Sequence, residues 1–324
     1  MSIISNCTAS VIKEAATSLM NGNLVAFPTE TVYGLGADAT NKDAVSRIYE
    51  VKSRPVGHPL IVHISSIIHL NKWAKDIPDY AINLARAFWP GPMTLILPRT
   101  ELAKDFITGG QNNVGVRVPS HKIALALLNE FEAQGGVGVA APSANRFGAV
   151  SPTTANAALV EIGEYLSTKD QVLDGGACTV GVESTIIYCT ESKPSILRPG
   201  GVTKAMIEEI LEDTMNVDYD NFLTNKVKAP GLMGSHYAPR ANVFLSGEPK
   251  RGDGLIALSN VNTPEGVHRL ASPENNEQFA QQLYRVLRSA DEKGLQNVYV
   301  VSPSGDDIAI AINDRLRKAS KGRG

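Results

Sequence analysis

Phe27-Pro28-Thr29-Glu30-Thr31-Val32-Tyr33-Gly34-Leu35-Gly36 is the stretch on which the reading of this chain turns. An apolar strand, Leu24 to Phe27, runs into Pro28, which has no N–H to give a sheet ladder. Thr29, Glu30 and Thr31 then crowd hydroxyl and acidic groups at the strand exit, and Gly34 and Gly36 read as the glycines of a sharp turn. Polar groups bunched where a buried strand ends mark ligand sites on α/β sheets. An ordinary strand-to-loop exit looks the same, so the decision rests on what other stretches bring to this point.

Outward from that run, apolar segments of strand and helix length alternate. Thr8 or Ser10 can cap a helix ending at Gly22, and Asn41 can cap a second helix whose last turn delivers Lys52. Leu60–Ile64, Thr94–Leu97, Val114–Val118, Val137–Ala141, Val172–Asp174, Ser184–Tyr188 and Ser195–Arg198 read as strands, with helices between several of them. This alternation predicts a twisted α/β sheet of mixed direction over residues 1–215. Residues 216–241 show little periodicity, which predicts a linker or functional loop. Strands at Val243–Leu245, Leu255–Leu258 and Val298–Val301, with helices Glu274–Asp291 and Asp306–Lys318, predict a smaller α/β unit over 242–324.

The totals narrow the class. With 324 residues, 43% hydrophobic and 20% charged, the chain can bury full cores. A net charge of −2 argues against long-range attraction to RNA, while leaving room for local basic pockets. Cys7, Cys178 and Cys189 are widely spaced and have no CxxC pattern, which favours a reducing compartment over a disulfide framework or zinc site. The N-terminus does not read as a targeting segment and no apolar run reaches membrane-spanning length, so a soluble, cytoplasmic protein without membrane contacts is expected. P-loop, GxGxxG, HExxH, GxSxG and EF-hand patterns are missing from the sequence. No nucleophile–base pair stands out either, so charge and positioning would have to do the chemistry.

Four places could supply them. Lys52-Ser53-Arg54 puts two cations at a helix exit, where they suit a phosphate or simply cap the helix C-terminus. Arg117, in Val114-Gly115-Val116-Arg117-Val118, sits on a central strand and needs either a ligand carboxylate or a structural partner such as a buried Asp. Ser143 and Asn145 follow a strand end, as a ligand contact or an Asx-type turn. Gly181-Val182-Glu183-Ser184-Thr185 places Ser184 at the start of an apolar strand, and His63 lies on an apolar face as a core histidine or a catalyst.

Taken in order, Pro28 to Gly36, Lys52-x-Arg54, His58-Pro59-Leu60, Trp89-Pro90-Gly91-Pro92, Val116-Arg117-Val118-Pro119, Ala141-Pro142-Ser143-Ala144-Asn145, Gly181 to Thr185 and Arg198-Pro199-Gly200 resemble the YrdC-like threonylcarbamoyl-AMP synthases. His236-Tyr237-Ala238-Pro239 and Asn313 to Ala319 resemble the long form, with a YrdC-like domain and a smaller Rossmann-like α/β domain joined by a long linker. The resemblance implies synthesis of L-threonylcarbamoyl-AMP and pyrophosphate from L-threonine, bicarbonate or CO2, and ATP, with a nucleotidyltransferase step. It implies a catalytic tetrad of Lys52, Arg54, Ser143 and Asn145, with Thr31, His63, Arg117, Ala141 and Ser184 around threonine. Arg54, His58, Asn113, Ser143, Ser151, Arg198 and Tyr237 would contact ATP. No metal ligand is assigned, because Mg2+ would be carried mainly by the ATP phosphates. The product would pass to a tRNA threonylcarbamoyltransferase acting beside the anticodon, with direct tRNA binding weak. Leu232-Met233-Gly234-Ser235 departs from the aromatic and basic residues common in relatives and bears on how the lid closes. The competing readings are a non-catalytic RNA-binding module using the same positive cavity, and an isomerase or hydrolase on a related sheet.

Overall fold

A computed structural model describes residues 4–212, 217–219, 227–231 and 236–322. The Leu232–Ser235 departure and most of 213–226 lie outside the described residues. The large domain opens with β1 (Ile4–Asn6) and α1 (Ala9–Met20), where the Thr8 side chain accepts the Val11 N–H. β2 (Val25–Phe27) and β3 (Gly34–Asp38) pair antiparallel, and α2 (Lys42–Lys52) follows with Asn41 as its cap. β4 (Ile61–His63), α3 (Leu70–Trp73), α4 (Asp79–Phe88), β5 (Met93–Pro98), α5 (Asp105–Thr108) and β6 (Asn113–Arg117) come next. α6 (Lys122–Ala133), β7 (Val139–Ala140), α7 (Ala155–Ile162), β8 (Gln171–Asp174), β9 (Thr185–Tyr188), β10 (Ser195–Arg198) and α8 (Lys204–Ile210) complete the series.

These strands form one mixed sheet in the order β1-β8-β2-β3-β7-β4-β6-β5-β9-β10, extended at its far edge by β11 (Asp218–Tyr219), which runs parallel to β10. The stretch expected as a structureless linker therefore contributes a strand to the large sheet. Alternation splits β2 between two layers. Val25 and Phe27 pack with α1 and α6, whereas Leu24 and Ala26 join the larger core on the other face.

Gly34 and Gly36 correct the sequence reading. They do not make a sharp turn but lie within β3, where a Cβ on Gly36 would come within 2.8 Å of Phe27 and Val139. Glycine is needed there for close approach of neighbouring strands. The sharp turn occurs at Ser53, whose φ of 48° reverses the chain after α2 and aims Arg54 back toward the sheet.

The small domain contains β12 (Asn242–Phe244), β13 (Gly254–Ile256), β14 (His268–Ala271), α9 (Asn276–Glu292), β15 (Asn297–Val300) and α10 (Ala309–Ala319). Its parallel sheet has the order β12-β15-β13-β14, and β14 is a strand the sequence reading did not contain. The apolar core beneath α9 and α10 continues into Val32, Val150 and Val182 of the large domain. Among the described residues, no helix is long and apolar enough to cross a membrane.

Candidate active site

The exit of β2, the ends of β4, β6 and β10, and the loop after β7 converge beneath residues 227–231 and 236–240. Together they line a narrow cleft with a cavity volume of ≈ 50 Å³. A wider groove of ≈ 1180 Å³ lies between α2 and residues 99–109, but it shares only Arg54 with this cleft. Its Arg99 is already paired with Asp105 at 2.7 Å, so the smaller cleft has the stronger convergence of unsatisfied polar groups.

Three guanidinium groups reach the wall, each buried. Arg117 ends β6 and meets Glu30 at 2.6 Å, while its Nε donates to the Gly91 carbonyl at 3.3 Å. The second Glu30 oxygen accepts the Ser120 N–H. The structural partner left open by the sequence is thus Glu30, although Arg117 still faces the cleft. Arg198 donates to the Ser184 carbonyl from Nε and Nη2, to Ser184 Oγ from Nη2, and to the Pro230 carbonyl from Nη1. Arg54 donates to the Pro59 carbonyl at 3.2 Å and lies 5.8 Å from the centre of the Phe147 ring, and its buried Nε has no partner. Neither Arg54 nor Arg198 has a carboxylate within ion-pair distance among the described residues.

Thr31, His63, Ala141, Ser143, Ser184 and Tyr237 also line the cleft. Burial, reinforced by Arg117, pushes the His63 imidazole down to about 3, so it is neutral at physiological pH and carries a partnerless Nδ1. Lys52 is placed differently. Its ammonium donates to the carbonyls of Ser143 (2.6 Å) and Asn145, behind the wall, and burial followed by Arg54 drives its pKa well down. Asn145 holds the same loop by donating to the Arg146 and Ala149 carbonyls. Ser143 and Arg54 face the cleft; Lys52 and Asn145 hold the 143–149 loop from outside it. His58, Asn113 and Ser151 do not line it either: His58 meets the Phe147 ring edge-on, Asn113 pairs with Pro98 in the sheet, and Ser151 donates to Glu183.

Glu183 is the residue the sequence reading passed over. Its carboxylate accepts from Ser151 (2.7 Å), Tyr284 (2.7 Å) and Arg315 (2.8 Å), joining both domains at the cleft wall. Burial alone would raise this carboxyl, but Arg315, Arg198 and Ser151 outweigh it and hold it down to about 2. The only signal in the sequence was a lone acid in Gly181-Val182-Glu183-Ser184, with its basic partner 132 residues away. A pH dependence follows, with its sign fixed by the depression from 4.5. The stabilisation is complete above pH 4.5 and is lost as pH falls toward about 2. Melting temperature followed from pH 6 downward should therefore fall more steeply through that window in the wild type than in Glu183→Gln.

The roof comes from the connecting stretch. Lys318 donates to the Gly231 carbonyl at 2.8 Å, Tyr284 stacks on Tyr237 at 5.6 Å, and the His236 ring lies 4.0 Å from that of Tyr237. Burial takes His236 down to about 3, leaving it neutral with a partnerless Nδ1. A resident metal does not fit this wall. Among the described residues no three His, Cys, Asp or Glu side chains gather, and Glu30 and Glu183 are already engaged by arginines.

Residues 17–200 match the Sua5–YciO–YrdC family, described as "Telomere recombination", and residues 202–321 match "Threonylcarbamoyl-AMP synthase, C-terminal domain". The chain is similar to the threonylcarbamoyl-AMP synthase of Pyrococcus abyssi, 39% identical over 325 residues, 95% of this chain and 94% of that one. It is likewise similar to that of Bacillus subtilis, 38% identical over 331 residues, 96% of this chain and 93% of that one. Its fold superposes on P. abyssi Sua5 complexed with L-threonine with a TM-score of 0.87 and 37% identity, covering 99% of this chain and 98% of the other. Escherichia coli YciO, 22% identical with a TM-score of 0.53 over 62% of this chain and 96% of its own, shares the fold of the large domain.

Proposed function

The chain belongs to the Sua5–YciO–YrdC family in its two-domain form, and on that premise we propose that it makes L-threonylcarbamoyl-AMP and pyrophosphate from L-threonine, bicarbonate or CO2, and ATP. The observation that carries this reading is the pair of buried guanidiniums, Arg54 and Arg198, whose partners are neutral carbonyl and hydroxyl oxygens. Buried positive charge of that kind calls for an anionic ligand, and a triphosphate supplies one.

The chemistry needs little from the protein beyond placement and charge. The threonine nitrogen bonds to the carbon of CO2 and loses a proton, and a carbamate oxygen then attacks the α-phosphorus while the bond to the bridging oxygen of pyrophosphate breaks. Both partners in the second step are anions. Arg54 and Arg198 offset the phosphate charge, and Arg117 takes the amino-acid carboxylate on the edge that Glu30 leaves free. Neutral His63 offers its open Nδ1 to one substrate N–H. Mg2+ would arrive on the ATP phosphates, outside the protein's own ligands. The roof of His236 and Tyr237 excludes water, which limits loss of the unstable carbamate. The product would then be handed to a tRNA-modifying transferase in the cytoplasm.

Pyrophosphate release tests the reading when ATP, threonine and bicarbonate are left out one at a time. Dependence on all three is expected; release without threonine, or RNA affinity with steep salt dependence and no turnover, overturns it. Arg117→Lys keeps a charge beside Glu30 but loses the fork. It should weaken threonine by about 1.5–3 kcal/mol, read as a higher KM, and leave the KM for ATP little changed. Equal effects on both substrates would remove Arg117 from carboxylate recognition.

A further inference from the structure

The small domain sends two cations toward the cleft wall from α10. Arg315 and Lys318 stand three positions apart, so they share one face of that helix, and Asp314 accepts from both, at 2.6 and 2.8 Å. The Arg315 side chain is fully buried, and each of its three nitrogens is engaged. Nε donates to Glu183 at 2.8 Å, Nη1 to Asp314, and Nη2 to the Pro199 carbonyl at 3.0 Å. One turn further on, the Lys318 ammonium donates to the Gly231 carbonyl at 2.8 Å.

Each group held in this way is a chain neighbour of Arg198 or of something Arg198 touches. Pro199 follows Arg198 directly. Glu183 precedes Ser184, whose carbonyl and hydroxyl oxygens accept from Arg198 Nε and Nη2. Gly231 follows Pro230, whose carbonyl accepts from Nη1. The backbone between these points has no slack. A Cβ on Gly200 would lie 2.3 Å from the Thr185 nitrogen and 2.5 Å from the Glu183 carbonyl oxygen, so the turn after β10 rests on the entry to β9 backbone against backbone. A shift of Glu183 or Pro199 therefore carries Arg198 with it. Among the described residues only neutral oxygens orient this guanidinium, and a cation acts on a developing charge in proportion to how well its direction is fixed beforehand.

We propose that Arg315 is a positioning residue: with Lys318 it fixes the direction of the Arg198 guanidinium toward the nucleotide phosphates, so that the small domain supplies geometry to cations that all belong to the large one. This rests on the synthase reading above and gives the small domain its part in that reaction.

The test is a double-substitution cycle on the full-length protein, with affinity for Mg2+–ATP read by calorimetry, independently of turnover. Arg315→Lys keeps a positive charge opposite Glu183 but loses the planar fork that spans Glu183 and Pro199. It should weaken ATP by about tenfold and leave threonine affinity within about twofold. In an Arg198→Ala background the same change should cost less than about twofold, because the group it aims is gone. Lys318→Met leaves the Glu183 contacts in place and should repeat the pattern at about threefold, which decides the matter if Arg315→Lys does not fold. Losses of equal size with and without Arg198 would assign Arg315 to the stability of the fold at large and overturn the proposal. Wild-type ATP affinity in folded Arg315→Lys and Lys318→Met proteins would do the same, and neither result touches the synthase reading. A wild-type protein that does not bind ATP overturns both.

Discussion

Glu183→Ala is expected to lower the stability of the folded chain by about 3–5 kcal/mol, the range for removing one partner from a buried charge pair. Three donors converge on this carboxylate: the Ser151 hydroxyl, the Tyr284 phenol and the Arg315 guanidinium. Among the described residues, Ser151 and Tyr284 would each lose their only side-chain acceptor. Arg315, 1% exposed, would keep Asp314 at 2.6 Å and the Pro199 carbonyl at 3.0 Å, which places the loss toward the lower part of that range. Urea unfolding is the measurement, with an unchanged slope required for the midpoint to be read as stability. A loss below about 1 kcal/mol would show that the two domains are held together elsewhere.

Arg54→Ala is expected to act on rate with little effect on the fold. Among the described residues its side chain meets one carbonyl at 3.2 Å and an aromatic face, and its Nε is without a partner. Removing a preorganised charge donor from a water-poor site costs about 2.7–4 kcal/mol in barrier, or about 10²–10³-fold in turnover. Steady-state pyrophosphate release, with unfolding measured in parallel, separates the two effects. A wild-type rate in a folded Arg54→Ala protein would take this residue out of the chemistry. Lys52 belongs to a different class despite being only two positions away. Its ammonium braces the carbonyls of Ser143 and Asn145, so its replacement should disturb stability and rate together.

The difference between Lys52 and Arg54 shows where sequence reading stops. A basic residue at a helix exit is visible in the sequence, but its direction depends on the following turn, here the left-handed Ser53. Arg117 was legible because a guanidinium among valines on a central strand must meet charge or a cavity. That its partner is Glu30 was not legible, since 87 residues separate them and strand order alone brings them together. β3 was hidden because its glycines resemble turn residues, although packing against Phe27 and Val139 requires them. β14 was hidden because three of its four residues are not buried, leaving no apolar signal to read.

The apolar interior of the small domain runs without a break into Val32, a residue of the cleft wall. Two halves fused through a common greasy seam cannot gape like jaws without wetting it. The strap between them is pinned at Gly231 by the Lys318 ammonium.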